Sequence, residues 1–356
     1  MNARTLGVLL VLLAALGGGA LLMQRQEGAS RPDDAASLGQ PLLKGLQAAQ
    51  VASVSIRTPK AALTLRQKDG RWTIAERADF PADLDKVRDF VVKAIELKIG
   101  QSDPLGDADR ARLNLDASGT RVEFLGADGK PLAALVAGRK YFKAEPENPE
   151  KALGDGRYVA LPADAKQAYV VADPLAQAST ASADWIRRTG IAAEKVRSLE
   201  VRDAAGAAWK IERSGDNADW KLAGAGGADK LDVTKANAAA YTLSQLDLAD
   251  VAPAGAKPED TGLDKPSVAV ATTFDGLTYT VKAGKASGDA VYATIEVAGE
   301  PKPEGKDAEE RLKKLNARLP AEKALAGYVL LLPKSKLDDI FKKRAELLEK
   351  KEAKKK

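Results

Sequence analysis

With 50 Asp and Glu but no His and no Cys in 356 residues, proton-transfer chemistry in this sequence falls to carboxylates. The missing residue types exclude thiol nucleophiles, Ser-His-Asp triads and zinc sites built on Cys or His. A carboxylate enzyme that cleaves glycans needs two such groups about 5–9 Å apart in a cleft. Asp116 and Asp264 are the pair on offer, each in a Leu-Asp context. An Asp that caps a turn reads the same way, and a duplicated fold would repeat it; that is the expectation for both. Glycan binding would also want exposed Trp. Trp72 and Trp220 sit among alternating polar residues on hairpin patterns, which is how core anchors look. Trp209 continues a strand pattern, and Trp185, in DWIRR, is expected in the core or between the two halves of the chain. The glycine-containing stretches AGKASG (283–288) and GAGG (224–227) lack P-loop and dinucleotide spacing, and there is no G-x-S-x-G elbow. The residues therefore assign no catalytic, cofactor-binding or metal-binding position, and no partner-binding one.

The formal net charge is +5, and residues 342–356, with eight Lys or Arg and three Glu, hold all of it. A basic tail on a neutral body argues against a nucleic-acid-binding fold, whose cations would spread over one face. Such a tail could bind anionic lipid, at about 1 kcal/mol per cation near the surface. Its three Glu favour the plainer reading of a solvated helix end.

These groups have to be positioned by the elements around them, beginning at the N-terminus. Residues 6–23, LGVLLVLLAALGGGALLM, carry no charge. At about 1.5 Å per residue they nearly span a hydrocarbon core of about 30 Å. The stretch reads as one transmembrane signal anchor behind a five-residue cytoplasmic tail (1–5). A cleaved signal peptide ending at Gly18-Gly19-Ala20 is the competing reading, but Leu21-Leu22-Met23 prolongs the apolar run past that point. The bulk of the chain is then expected outside the cytoplasm, since a short N-tail before an apolar run resembles an export signal. Residues 24–50 read as a polar linker with a weak apolar patch at Leu42, Leu43 and Leu46.

From Val51 the pattern alternates. Val54 and Ile56, Leu63 and Leu65, and Trp72 and Ile74 read as strands, with Asp69-Gly70 as a hairpin turn. Asp83 is placed to cap a helix whose buried face is Leu84, Val87, Val91, Ala94 and Ile95, with Phe90 beside it. About 145 residues later the programme recurs. Val196, Leu199 and Val201 stand for Val51, Val54 and Ile56; Trp220 for Trp72; Asp232 for Asp83; Asp264 for Asp116; and Tyr328 for Tyr169. The sequence thus predicts an α+β fold of two tandem repeated modules, 51–195 and 196–345, mainly antiparallel, each ending in a closing helix. The second carries a charged insertion, 298–319, expected as a solvated loop with some helix. The final helix is expected from Lys336 through Leu348, with 346–356 as the basic tail.

The anchor, the hairpin LTLRQKDGRW ending at Trp72, the FPAD that opens a helix at Asp83, the Leu-Asp at 115–116 and the YVVADP at 169–174 together resemble the bacterial domain-of-unknown-function family 4340. That resemblance implies a membrane-anchored extracytoplasmic protein accompanying ABC transporter subunits of the type linked to gliding motility. It brings no catalytic residues and no cofactor. The expected function is a non-enzymatic periplasmic accessory or scaffold. Its expected partners are the inner membrane, through the N-terminal helix, and an ABC permease or related envelope protein, with no nucleic acid. Two alternatives stand beside it: an envelope glycan-binding or carboxylate-dependent glycan-cleaving protein, and an anionic-lipid tether acting through the basic tail.

Overall fold

The structure, a computed structural model, describes residues 37–144, 146–227 and 229–349. The apolar stretch 6–23 and the tail end 350–356 lie outside the described residues. Among those described, no helix is long and apolar enough to cross a membrane.

The fold is α+β, with two antiparallel sheets and few helices. The first sheet holds β1 (Ser53–Arg57), β2 (Ala62–Lys68), β3 (Arg71–Ile74), β4 (Phe80–Pro81), β5 (Ile99–Pro104), β6 (Thr120–Leu125), β7 (Pro131–Tyr141), β8 (Gly156–Leu161) and β9 (Asp164–Val171). Its order is β4-β3-β2-β1-β6-β7-β8-β9-β5. The second holds β10 (Val196–Arg202), β11 (Ala208–Glu212), β12 (Lys221–Leu222), β13 (Asp250–Val251), β14 (Ser267–Thr273), β15 (Leu277–Ser287), β16 (Ala290–Gly299) and β17 (Leu330–Pro333). Its order is β12-β11-β10-β14-β15-β16-β17-β13. Apart from the edge strand β4, the two orders are the same, strand for strand.

By its contacts the chain forms two compact units. Described residues up to 62, with 88–180, make the first; residues 63–87, with 181 onward, make the second. The β2–β3 turn is made by Asp69 and Gly70, with φ of 50° and 74°, the left-handed pair that a tight two-residue hairpin requires. Several bonds tie 63–87 into the second unit. Arg77 Nε donates to Ser182 Oγ at 2.9 Å, Asp83 N to Trp185 O at 2.7 Å and Ala254 N to Glu76 O at 2.9 Å. The Phe80 ring meets Tyr328 edge-on at 4.8 Å.

In the first unit, Val54, Ile56, Val122, Phe124 and Val159 are in the core, with Val122 and Phe124 alternating along β6. Helix α1 (Leu84–Glu96) enters this unit at residue 88; it buries Val87, Phe90, Val91 and Ala94, and Phe90 stacks on Phe124 at 6.0 Å. Leu84, expected on that face, is 57% exposed: the burying stripe starts one turn later, at Val87. Leu42, Leu43 and Leu46 are buried, and Leu42 N donates to Leu97 O at 2.7 Å. A short helix α2 (Asp107–Arg112) precedes β6.

In the second unit, Leu199, Ile211, Val281, Ile295, Leu330 and Leu332 form the core. Helix α3 (Val233–Thr242) starts at Asp232, whose carboxylate accepts from Thr234 N and Lys235 N. It is followed by α4 (Pro258–Thr261), α5 (Ala308–Ala324) and α6 (Lys334–Ile340).

Three expectations need correction. No closing helix follows β9. Pro174 bars the helical region to the residue before it, Asp173 Oδ1 captures Leu175 N at 2.6 Å, and Leu175 turns to φ 51°. Only a 3₁₀ turn, Ser182–Asp184, lies beyond. The last helix ends at Ile340, with Lys343 extended and its N–H held by Glu346 Oε2 at 2.7 Å, so Arg344–Leu347 forms a separate 3₁₀ turn. The charged insertion is largely the helix α5, which docks through Leu315, Leu319 and Glu322. Buried Glu322 accepts from Ala192 N and from the Tyr279 hydroxyl, both at 3.1 Å.

Candidate functional site

An open groove of the second unit lies between α3 and the start of β10. Its cavity is about 590 Å³, with Lys195, Arg213, Asp216, Trp220, Asn237 and Tyr241 among its walls. Arg213 follows the end of β11, and each nitrogen of its guanidinium makes a hydrogen bond. Nε donates to Val196 O at 2.7 Å, Nη2 to Asp216 Oδ1 at 2.9 Å and Nη1 to Asp216 O. The same group lies 4.7 Å from the Trp220 ring centroid and 5.9 Å from that of Phe274. Trp220 Nε1 donates to Asn237 Oδ1 at 2.9 Å, which ties the floor to α3. Lys195 Nζ approaches the other Asp216 oxygen at 3.8 Å.

The floor is therefore rigid and internally satisfied. Residues i, i+4 and i+8 of a helix share a face, so Val233, Asn237 and Tyr241 line up along α3. Val233 is 42% exposed and Tyr241 63%. This arrangement offers a ligand aromatic and aliphatic surface beside a fixed Trp–Arg stack. Asp216 faces a cation with each oxygen, Arg213 at 2.9 Å and Lys195 at 3.8 Å.

Asp116 sits in a turn of the first unit. Its Oδ1 accepts from Ser118 N at 2.9 Å and from Ser118 Oγ at 2.5 Å, and these bonds hold its carboxyl below the usual range. Asp264 lies exposed just after α4 in the second unit. Asp116 thus caps its own turn. Trp185, Trp209 and Trp220 are buried and Trp72 is half-buried. Trp209 Nε1 donates to Lys342 O at 2.7 Å. The first cations of the basic tail are bound into the unit: Lys342 Nζ to Asp339 at 2.5 Å, and Arg344 Nη2 to Asp229 at 3.0 Å. Among the described residues no group of three or more acidic side chains could hold a metal ion.

The Arg213–Trp220 stack was invisible in the sequence because it depends on how the 213–220 loop folds back. The one available signal was an Arg just outside a strand, seven residues before a Trp that opens the next.

No curated protein and no solved structure matches the chain. A family model does, over residues 72–266, more than half of the length; its description is "Domain of unknown function (DUF4340)". That stretch runs from the Trp72 hairpin strand through Arg213, Trp220 and α3, and the chain accordingly belongs to the DUF4340 family.

Proposed function

We propose that the protein is a membrane-anchored extracytoplasmic accessory subunit of an ABC-type transport or envelope system. It holds a partner chain and turns over no substrate. The observation that carries this reading is the α3 groove, where the exposed Tyr241 stands beside a floor fixed by Arg213 and Trp220. An exposed aromatic side chain beside a fixed Trp–Arg pair is the chemistry of protein interfaces. The uncharged stretch 6–23 supplies the anchor and the polar residues behind it the tether.

The test is a mild-detergent pull-down of the full-length protein, beside its Tyr241→Ala variant. Recovery of an ABC permease or ATPase, weakened several-fold by the substitution, supports the reading. A preparation that brings down no membrane protein, or brings it down equally with the variant, overturns it.

A further inference from the structure

On the outer face of the first sheet, a row of directly opposed residues runs from Arg57 through Arg121 and Val136 to Ala160, one on each of β1, β6, β7 and β8. At about 4.8 Å per strand the row is about 14 Å long. One end carries two guanidinium groups and the other is aliphatic. All four residues line a single cavity of about 460 Å³, within the usual range for small-molecule sites. Arg110 of α2 adds a third guanidinium to its wall. Leu115, also on the wall, joins Ala160 in a small buried apolar cluster.

Like charges placed directly opposite on neighbouring strands destabilise a sheet. Glu123 relieves Arg121, at 2.9 Å, but among the described residues no carboxylate pairs with Arg57. The carboxylate that does line the cavity, Asp116, is turned onto Ser118. Gly119 keeps the wall open, since a Cβ there would come within 2.7 Å of Val136 Cγ1 and 2.3 Å of Asn114 O. The arrangement is not repeated in the second sheet. There Arg202, the counterpart of Arg57, faces Val268, and the cavity beside them is about 180 Å³.

From this juxtaposition we infer that the cavity is a binding site for an amphiphilic anion, a phosphate or carboxylate head on an apolar body. The head would lie between Arg57, Arg110 and Arg121, and the body over Val136, Ala160 and Leu115. A ligand with only one of these halves would leave either Arg57 or the apolar floor without a partner.

The test uses the full chain held in a phosphatidylcholine nanodisc, followed by its thermal midpoint, since a ligand that binds only the folded state raises it. The probes are octyl phosphate, dihexanoyl phosphatidic acid, inorganic phosphate and octanol. Octyl phosphate should raise the midpoint by several degrees, with inorganic phosphate and octanol near zero at the same concentration. A larger shift with dihexanoyl phosphatidic acid identifies a lipid as the source; a larger one with octyl phosphate identifies a soluble single-chain anion. In Arg57→Gln the apparent affinity should fall about tenfold, while the ligand-free midpoint stays level or rises, because a repulsion is removed. Arg202→Gln should respond like the wild type. Equal shifts with inorganic and octyl phosphate, no shift at all, or an unchanged response in Arg57→Gln would each overturn the inference.

Discussion

The Arg213 guanidinium lies over the Trp220 indole, 4.7 Å from the ring centroid, while its Nε caps the Val196 carbonyl at 2.7 Å. One side chain thus closes the entry to β10, holds the 213–220 loop through Asp216 and fixes the groove floor. Arg213→Ala should cost about 2–3 kcal/mol, from charge-assisted hydrogen bonds and the ring contact together. Arg213→Lys should recover only part of this, because an ammonium cannot reproduce the forked geometry. Urea denaturation reads both, and a loss below about 0.5 kcal/mol for the alanine variant would refute the assignment.

Glu322 is 4% exposed and joins Ala192 N, the Tyr279 hydroxyl and the Arg318 side chain, whose Nε is 3.3 Å away. Glu322→Ala leaves Arg318 and Tyr279 facing an empty site and should cost about 3–5 kcal/mol. Tyr279→Phe removes one hydrogen bond and should cost about 1 kcal/mol. If the two losses match, the carboxylate is not the centre of the network.

Burial, followed by the Glu322 charge, pushes the Tyr279 hydroxyl well above its ordinary value of 10.0. Above pH 10 the unfolded chain therefore releases a proton that the folded chain keeps, and stability falls as pH rises. Tyr279→Phe should flatten this alkaline limb. An identical alkaline limb in the variant would dispose of the argument.

Asp79 behaves in the opposite sense. The hydrogen bond from Lys68, and then that from Arg66, hold its carboxyl below the ordinary 3.8. Its contribution is present above that pH and is lost as acid protonates the folded form. Asp79→Asn should lower the denaturation midpoint at pH 7, and less so in acid strong enough to protonate the folded carboxylate. An equal loss at both would assign the effect to packing.

Truncation after Glu349 should leave the fold untouched. Truncation after Phe341 removes Leu347, which is 0% exposed, and strips Trp209 Nε1 of its acceptor at Lys342. The loss should be about 3–5 kcal/mol from the cavity and the orphaned donor. Circular dichroism melts of the two truncations separate the outcomes, and similar midpoints would show residues 342–349 to be dispensable.

What the sequence revealed was what local chemistry determines. The Asp69-Gly70 turn, the Asp232 cap and the Val87–Val91–Ala94 stripe each need only a few neighbouring residues. The order of the two sheets was foreshadowed by motifs that recur in the same order, their spacing widened by small insertions. The failures required knowledge at a distance. Pro174 ended a pattern that apolar spacing alone would have continued. The depth of Leu315 and Leu319 depends on a docking surface built by other strands. That Arg57 faces Arg121 is a matter of strand register, and neither local context contains it. Asp116, singled out for its type, caps a turn, whereas the residues that shape the two cavities are arginines that no motif marked.

The assignment of residues 63–87 to the second unit bears on how the protein is made. A chain emerging N-terminus first, from a ribosome or through a membrane, presents this hairpin long before residues 181–349 arrive to receive it. Until then Asp83, Phe80 and Arg77 lack the partners they have in the finished molecule, and the hairpin is a temptation for chaperones and proteases alike. For the same reason no single cleavage of the backbone yields both units whole: a cut near residue 180 leaves one fragment with a surplus hairpin and the other with a vacancy.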